Sequence, residues 1–283
     1  LKRSKIKESV KREIPLKNAI VENHCNTLRM NMAGNYAIEF RIFDNGMAYR
    51  FLTDKKGEIE VKGEDFVINF PADYLAHMSQ PNGFKTSYEY PYTHIQTKEY
   101  KSTGRMSYLP VLLETDKQYK ILISEADLQD YPCMFLKSTG DNGMQSLFPK
   151  CPLEFGEDGD RSLKILKEAD YIAKTSGKRN FPWRLFVISN DDRDIVSNQN
   201  GRDQPVVILG KLKGQRRPFV SVVGENLQPG FVQRRECRFR CAEIGRHGKT
   251  DCHCENASNV IHTKLLFLFI YCRTRSHAYT LYR

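Results

Sequence analysis

Between Tyr36 and Leu52 apolar residues recur at every second position, and no other feature of the chain narrows its fold as much. Ile38, Phe40 and Ile42 fall on one face of an extended chain and Ala37, Glu39, Arg41 and Phe43 on the other. Beyond Asp44-Asn45-Gly46 the alternation resumes, with Met47, Tyr49 and Phe51 against Ala48, Arg50 and Leu52. A period of two belongs to a half-buried strand, because successive side chains leave a pleated chain on opposite sides, whereas a helix repeats at about 3.6 residues. Asn45-Gly46 between two such runs predicts a two-residue hairpin turn with positive φ. A lone hairpin is marginal in water, so the rest of the chain must supply more strands.

Residues 58–61 and 65–70 read as short strands about Gly63, the second closed by Pro71. Residues 109–114 and 118–124 read as a second hairpin across Thr115-Asp116-Lys117, and 134–136, 169–175 and 185–189 as further strands. The aromatic-rich stretch 72–107 predicts a loop-rich excursion with one or two strands. The Gly- and Asp-rich region near 140–160 predicts loops, and 162–168 could form one helical turn. Roughly ten short strands with turns between them, and little sustained helical periodicity through residue 195, specify an all-β fold, an antiparallel β-sandwich.

Charge divides the chain. Its 283 residues carry 44 Lys+Arg against 34 Asp+Glu, a formal net charge of +10. The excess lies at the end: residues 201–283 hold 15 Lys+Arg and 6 Asp+Glu, leaving 29 and 28 in the first two hundred. The body is close to neutral and has no basic stripe interleaved with aromatics, which argues against nucleic acid as a partner. Three domains of composition follow: a charge-rich exposed lead-in at 1–19, the body at 20–196, and an irregular basic C-terminal extension at 197–283. The abrupt change in charge, Cys and His content suggests that the extension is out of frame or truncated.

Cys25, Cys133 and Cys151 in the body make no disulfide framework. In the extension, Cys237 and Cys241 are followed by Cys252-His253-Cys254 and His262, a spacing that matches no common zinc ribbon or finger. The longest apolar run, residues 265–271, is seven residues, short of the roughly 20 that cross a bilayer, so no membrane span is expected. No secretory signal is read in the first fifteen residues.

The run Ile121-Leu122-Ile123 opens onto Glu125, Asp127 and Asp130, and Pro132 then forbids a regular continuation. A strand delivering three carboxylates to a rim is one reading, and such rims are where sites are often built. The other is a solvated turn of the kind that follows any strand.

Three segments, in this order, resemble the N-terminal domain of glycoside hydrolase family 97. They are Asn45-Gly46-Met47-Ala48-Tyr49-Arg50-Phe51, the stretch from Ile123-Ser124-Glu125-Ala126-Asp127 to Asp130-Tyr131-Pro132, and Arg179-Asn180-Phe181-Pro182-Trp183-Arg184. The resemblance covers about residues 15–196. It implies a galactose-mutarotase-like super-sandwich that precedes a catalytic (β/α)8 barrel in enzymes similar to the α-glucosidase of starch-utilisation systems. It further implies α-linked oligosaccharide as substrate, a periplasmic or secreted setting, and calcium near the active site, with Glu125 matching the one ligand that the sandwich contributes. Asp127 and Asp130 then become turn groups that cap backbone N–H donors, while Trp183 and Arg184 belong to the packing.

A barrel needs about 250 residues, and only 83 follow residue 200. The expectation is therefore a sandwich without its catalytic half, holding no catalytic residue, inactive alone, with Glu125 on the surface where the absent barrel would dock. A second reading is a stand-alone carbohydrate-binding module stacking sugars on Tyr88, Tyr90 and Tyr92. A third is a protein acting on anionic partners through a zinc-binding basic tail.

Overall fold

The computed structural model describes residues 1–11, 19–116, 118–160, 162–192 and 195, together with the backbone of 207–210 and 219–222. In chain order the strands of the body are β1 (Lys2–Lys11), β2 (Ile20–Met32), β3 (Tyr36–Phe43), β4 (Gly46–Val61), β5 (Val67–Asn69), β6 (Leu75–Ser79), β7 (Tyr92–Gln96) and β8 (Ser107–Glu114). After them come β9 (Lys120–Ala126), β10 (Phe135–Ser138), β11 (Gly143–Leu147), β12 (Pro152–Glu157), β13 (Leu163–Glu168), β14 (Ala173–Asn180) and β15 (Trp183–Ser189). Two further strands, β16 (Val207–Gly210) and β17 (Phe219–Val222), pair only with each other among the described residues. The cysteines and histidine considered for zinc, like most of 197–283, lie outside the described residues.

The alternating stretch forms the expected hairpin: β3 and β4 pair antiparallel, with Ile38 opposite Phe51 and Phe40 opposite Tyr49. Its turn falls one residue earlier than predicted. Phe43 pairs with Gly46, so Asp44 and Asn45 make the connection, and Gly46 is not among the residues with positive φ. A third strand explains the shift. β15 sets Val187 opposite Gly46, and the Ile188 N–H donates to the Asn45 carbonyl at 2.8 Å, which draws Gly46 into a ladder on both sides.

β4 is long enough to serve two neighbours. Gly46 to Tyr49 lies against β15, and Leu52 to Val61 against β14. Thirteen strands thereby join one antiparallel sheet in the order β1-β2-β3-β4-β15-β9-β8-β10-β11-β5, with β14 attached at β4 and β6 and β7 attached through β8. The sheet folds over on itself: Phe66, just before the terminal β5, stacks on Phe186 of the central β15 at 6.1 Å between centroids. Ile38, Phe51, Met78, Val111, Ile123 and Phe186 belong to the core enclosed by that fold. The result is the all-β sandwich architecture.

A second apolar cluster, with Ala48, Leu122, Trp183, Leu185 and Val187, lies on the opposite face of the same central strands. Strands buried on both faces lose the polar half of the alternation and read as continuous apolar runs, as Leu185-Phe186-Val187 does.

The lead-in reading gains a strand, and the loops expected near 140–160 give way in part to β11 and β12. The lead-in is exposed, but Lys2–Lys11 is a strand paired along its length with β2, from Lys2 opposite Arg29 to Lys11 opposite Ile20. It is the sheet edge, and Lys2, Arg3, Lys5, Lys7 and Lys11 place on it the charge that discourages pairing with another chain. Residues 163–168 form a strand rather than a helical turn, because β12 offers a ladder partner for Leu163-Lys164-Ile165.

Candidate functional site

β15 reads Trp183-Arg184-Leu185-Phe186-Val187-Ile188, and alternation puts Arg184 on the inward side with Phe186. Its side chain is 1% exposed. A guanidinium stays charged in a protein, so burial on this scale requires paired acceptors. Glu64 and Glu125 provide them. Nε and Nη2 of Arg184 donate to Glu64 Oε1 and Oε2 at 2.8 and 2.7 Å, a bidentate fork. Nη1 donates to Glu125 Oε2 at 2.6 Å, across the ladder position where the two residues face each other.

Both Glu125 oxygens also accept the Met134 N–H, at 3.2 and 3.1 Å, and the Tyr131 hydroxyl donates to Glu64 Oε2 at 3.1 Å. The Tyr131 ring meets Phe148 and Phe181 edge-on, and the Arg184 guanidinium lies 5.5 Å from the Phe148 centroid. Two carboxylates thus share one guanidinium inside an aromatic wall.

The electrostatics follow from that sharing. Burial pushes the Glu125 carboxyl up to about 7, against the opposing pull of Arg184 and the Met134 N–H and with some help from Glu64. Burial disfavours the charge on Arg184, but the Glu64 and Glu125 carboxylates outweigh it and hold the guanidinium more firmly protonated. Tyr131 is raised well above the usual phenol by burial and by Glu64.

The three acids expected on one rim go three ways. Glu125 does sit at the end of β9, but its side chain is only 6% exposed and turns inward to Arg184 instead of outward. Asp127 and Asp130 both adopt left-handed backbone, with φ of 62° and 51°, which suits turn aspartates. The Asp127 carboxylate does not cap a backbone N–H as expected: Oδ1 accepts from the Gln129 side-chain amide at 2.9 Å, and Oδ2 lies 3.9 Å from Arg50 Nη1. Asp130 is exposed.

Trp183 faces the other way, as core. It is fully buried, with the guanidinium groups of Arg41 and Arg50 over its ring at 4.6 and 4.2 Å from the centroid, and Glu39 accepts from both arginines. The tyrosines do not assemble a platform. Tyr88 packs edge-on against Tyr108, Tyr90 packs with it on the same small cluster, and Tyr92 is exposed.

Glu64 and Tyr131 carry as much of this cluster as the residues singled out from the sequence. An arginine inside an apolar strand signals that some acid is buried with it. Glu64 is 120 positions away and stands beside Gly63 and Asp65, where it reads as a turn acid.

Calcium takes 6–8 oxygens, and among the described residues no group of three or more His, Cys, Asp or Glu is arranged to hold a metal. The Glu125 oxygens face donors, one of them cationic. The described residues by themselves do not make a calcium cage.

Residues 1–200 match the family described as glycosyl-hydrolase 97 N-terminal. The retaining alpha-galactosidase of Bacteroides thetaiotaomicron is 31% identical over 189 residues, covering 62% of this chain and 28% of that protein. Structures of a glycoside hydrolase family 97 enzyme from Pseudoalteromonas sp. strain K8, in complex with acarbose and with panose, share a TM-score of 0.53 at 21% identity, over 69% of this chain and 28% of theirs. That likeness speaks for the fold. The chain spans well under a third of the length of these relatives. Because the family match takes in every strand from β1 to β15, exposed lead-in included, the chain belongs to the glycosyl-hydrolase 97 N-terminal family.

Proposed function

We propose that this chain serves as the N-terminal domain of a longer glycoside hydrolase acting on α-linked oligosaccharides, and that it hydrolyses nothing by itself. The family match over residues 1–200, together with the 189-residue likeness to a protein of which this chain covers 28%, carries this reading. Glycoside hydrolysis needs two carboxylates flanking the scissile bond, one to protonate the leaving oxygen and one to act as base or nucleophile. Among the described residues, acid pairs converge on cations instead of a cleft, as Glu64 and Glu125 do on Arg184, Glu39 and Asp127 on Arg50, Glu60 and Asp170 on Lys62, and Glu114 and Asp192 on Lys120. Incubation with p-nitrophenyl α-galactoside and α-glucoside should release no nitrophenol, and release from either overturns the reading.

Calcium enters as a group shared with the rest of the longer protein. Glu125 would supply one carboxylate, with Arg184 retained by the two oxygens of Glu64. Titration calorimetry of this chain with calcium should show binding no tighter than about 10⁻³ M, the weak end of protein sites. A micromolar site would sink the shared-ligand reading. A periplasmic or secreted setting follows from the family resemblance alone. Against a stand-alone sugar-binding module stands the inward packing of Tyr88 and Tyr90, which leaves Tyr92 without the flanking rings of a stacking platform.

A further inference from the structure

β12 and β13 form a two-stranded ribbon that joins neither of the other sheets among the described residues. A ribbon that stands apart should be polar, since two strands alone bury little. This one carries Leu153, Phe155, Leu163, Ile165 and Leu166, each 42–58% exposed. Phe155 lies opposite Ile165 and Glu157 opposite Leu163, so Phe155, Leu163 and Ile165 share one face. Leu166 lies on the other, over Gly156, where an added Cβ would come within 3.0 Å of it.

The ribbon is held at both ends. At its base the Cys151 N–H donates to Tyr171 O at 2.9 Å and the Ala169 N–H to Cys151 O at 2.8 Å. Near its tip Lys85 pairs with Asp158 at 2.5 Å. Between those contacts it is a two-stranded strip with apolar side chains on both faces.

We propose that the β12–β13 ribbon is a tongue by which this domain docks into an apolar groove on the remainder of a longer family polypeptide. Area selects that occupant. Five large side chains, each about half exposed, leave on the order of 400 Å² uncovered, taking for each roughly the lower part of the 150–250 Å² of an aromatic side chain. A specific interface between separate molecules buries about 800 Å² per partner, so a second copy of this chain is a poor match. A tethered partner needs less, because the linker holds it at an effective concentration of about millimolar. The α-galactosidase extends well beyond the 28% that this chain covers, which leaves most of such a polypeptide to provide the groove. Apolar side chains on both faces fit insertion better than a ribbon laid flat.

The proposal rests on reading the chain as part of a longer hydrolase. Hydroxyl-radical footprinting tests it by comparing side-chain oxidation of Phe155, Ile165 and Leu166 in the full 283-residue chain with that of the aligned residues in the intact Bacteroides α-galactosidase. Oxidation at least several-fold slower in the intact relative is expected, with Ile165→Asp leaving the melting temperature of this chain unchanged. Equal, fast oxidation in both proteins overturns the tongue. So does slow oxidation in this chain, or a large fall in melting temperature for Ile165→Asp, since either means that the ribbon is already covered here. Glycosidase activity of this chain alone would instead overturn the domain reading, whatever the footprint shows.

Discussion

Trp183 and Arg184 are consecutive in β15 and are buried to 0% and 1% exposure on opposite faces of one sheet. Trp183 carries two guanidinium groups against its ring, and Arg184 is itself a guanidinium shared by two carboxylates. One strand thus carries the polar core of the sandwich on one side and an indole packed against cations on the other. Both depend on β15 lying centrally between β4 and β9.

Removing Arg184 leaves Glu64 and Glu125 facing each other in the interior without compensation. Arg184→Met should therefore cost about 3–5 kcal/mol, the usual penalty for breaking a buried ion pair from one side. Urea unfolding measures it. Adding Glu64→Gln and Glu125→Gln to the same variant should recover part of the loss. A cost below about 1 kcal/mol would mean that water reaches the cluster, as at exposed pairs.

Glu125 sets a pH dependence of unusual sign. Its carboxyl moves from an ordinary 4.5 to about 7 on folding, so between those values the folded chain binds more protons than the unfolded one. Stability contributed by this group is then greatest below pH 4.5 and falls as pH rises to 7, the reverse of a carboxylate whose pKa is depressed. At about 1.4 kcal/mol per unit the full effect is on the order of 3 kcal/mol. Glu125→Gln should flatten the decline of melting temperature between pH 5 and 7 relative to the parent chain. An identical slope in both proteins would count against the buried, proton-binding carboxylate.

The fold was legible where the physics is local. The β3–β4 hairpin follows from period-two alternation, and β8 and β9 from two apolar runs about a short polar turn. What the sequence hid depends on distant strands. The turn at Asp44-Asn45 is placed by β15, about 140 residues on, and β1 exists because β2 offers it an edge. The candidate site divides the same way. Glu125 was found from its strand end and its family segment, but its inward turn depends on Arg184, and Glu64 carries no local sign of burial at all. The ribbon is hard to read from the sequence because Leu163, Ile165 and Leu166 stay 42–58% exposed on it, so their pattern follows no burial template.

Burial also governs the thiols. It pushes the Cys25 thiol up to about 11, partly offset by Arg41, whereas Cys151 is only half-buried. At pH 8 the two-unit rise leaves Cys25 about a hundredfold less thiolate than an ordinary cysteine, and thiolate is the reactive form. Brief iodoacetamide treatment followed by peptide mass mapping should find Cys151 modified well ahead of Cys25. Equal modification would mean that the β1–β2 edge opens readily.

Gly177 marks a place where two backbones meet too closely for a side chain. It lies in β14 within the register shift against β4, between Ser176, opposite Glu58, and Lys178, opposite Asp54. A Cβ there would come within 2.6 Å of the Lys55 carbonyl oxygen and 3.0 Å of that of Gly57, and Gly57 is itself left-handed at φ 69°. Neither obstacle is a side chain that can swing away, so relief requires the bulge to reopen. Gly177→Ala should cost about 1–3 kcal/mol, the range for overpacking a filled site. Gly63→Ala is the control: a Cβ there meets nothing within 4 Å and its φ is not left-handed. That change should be neutral, or stabilise by about 0.4–1 kcal/mol through the unfolded chain's lost freedom. Equal denaturation midpoints for the two variants would show that β14 and β4 do not approach as closely as this register requires.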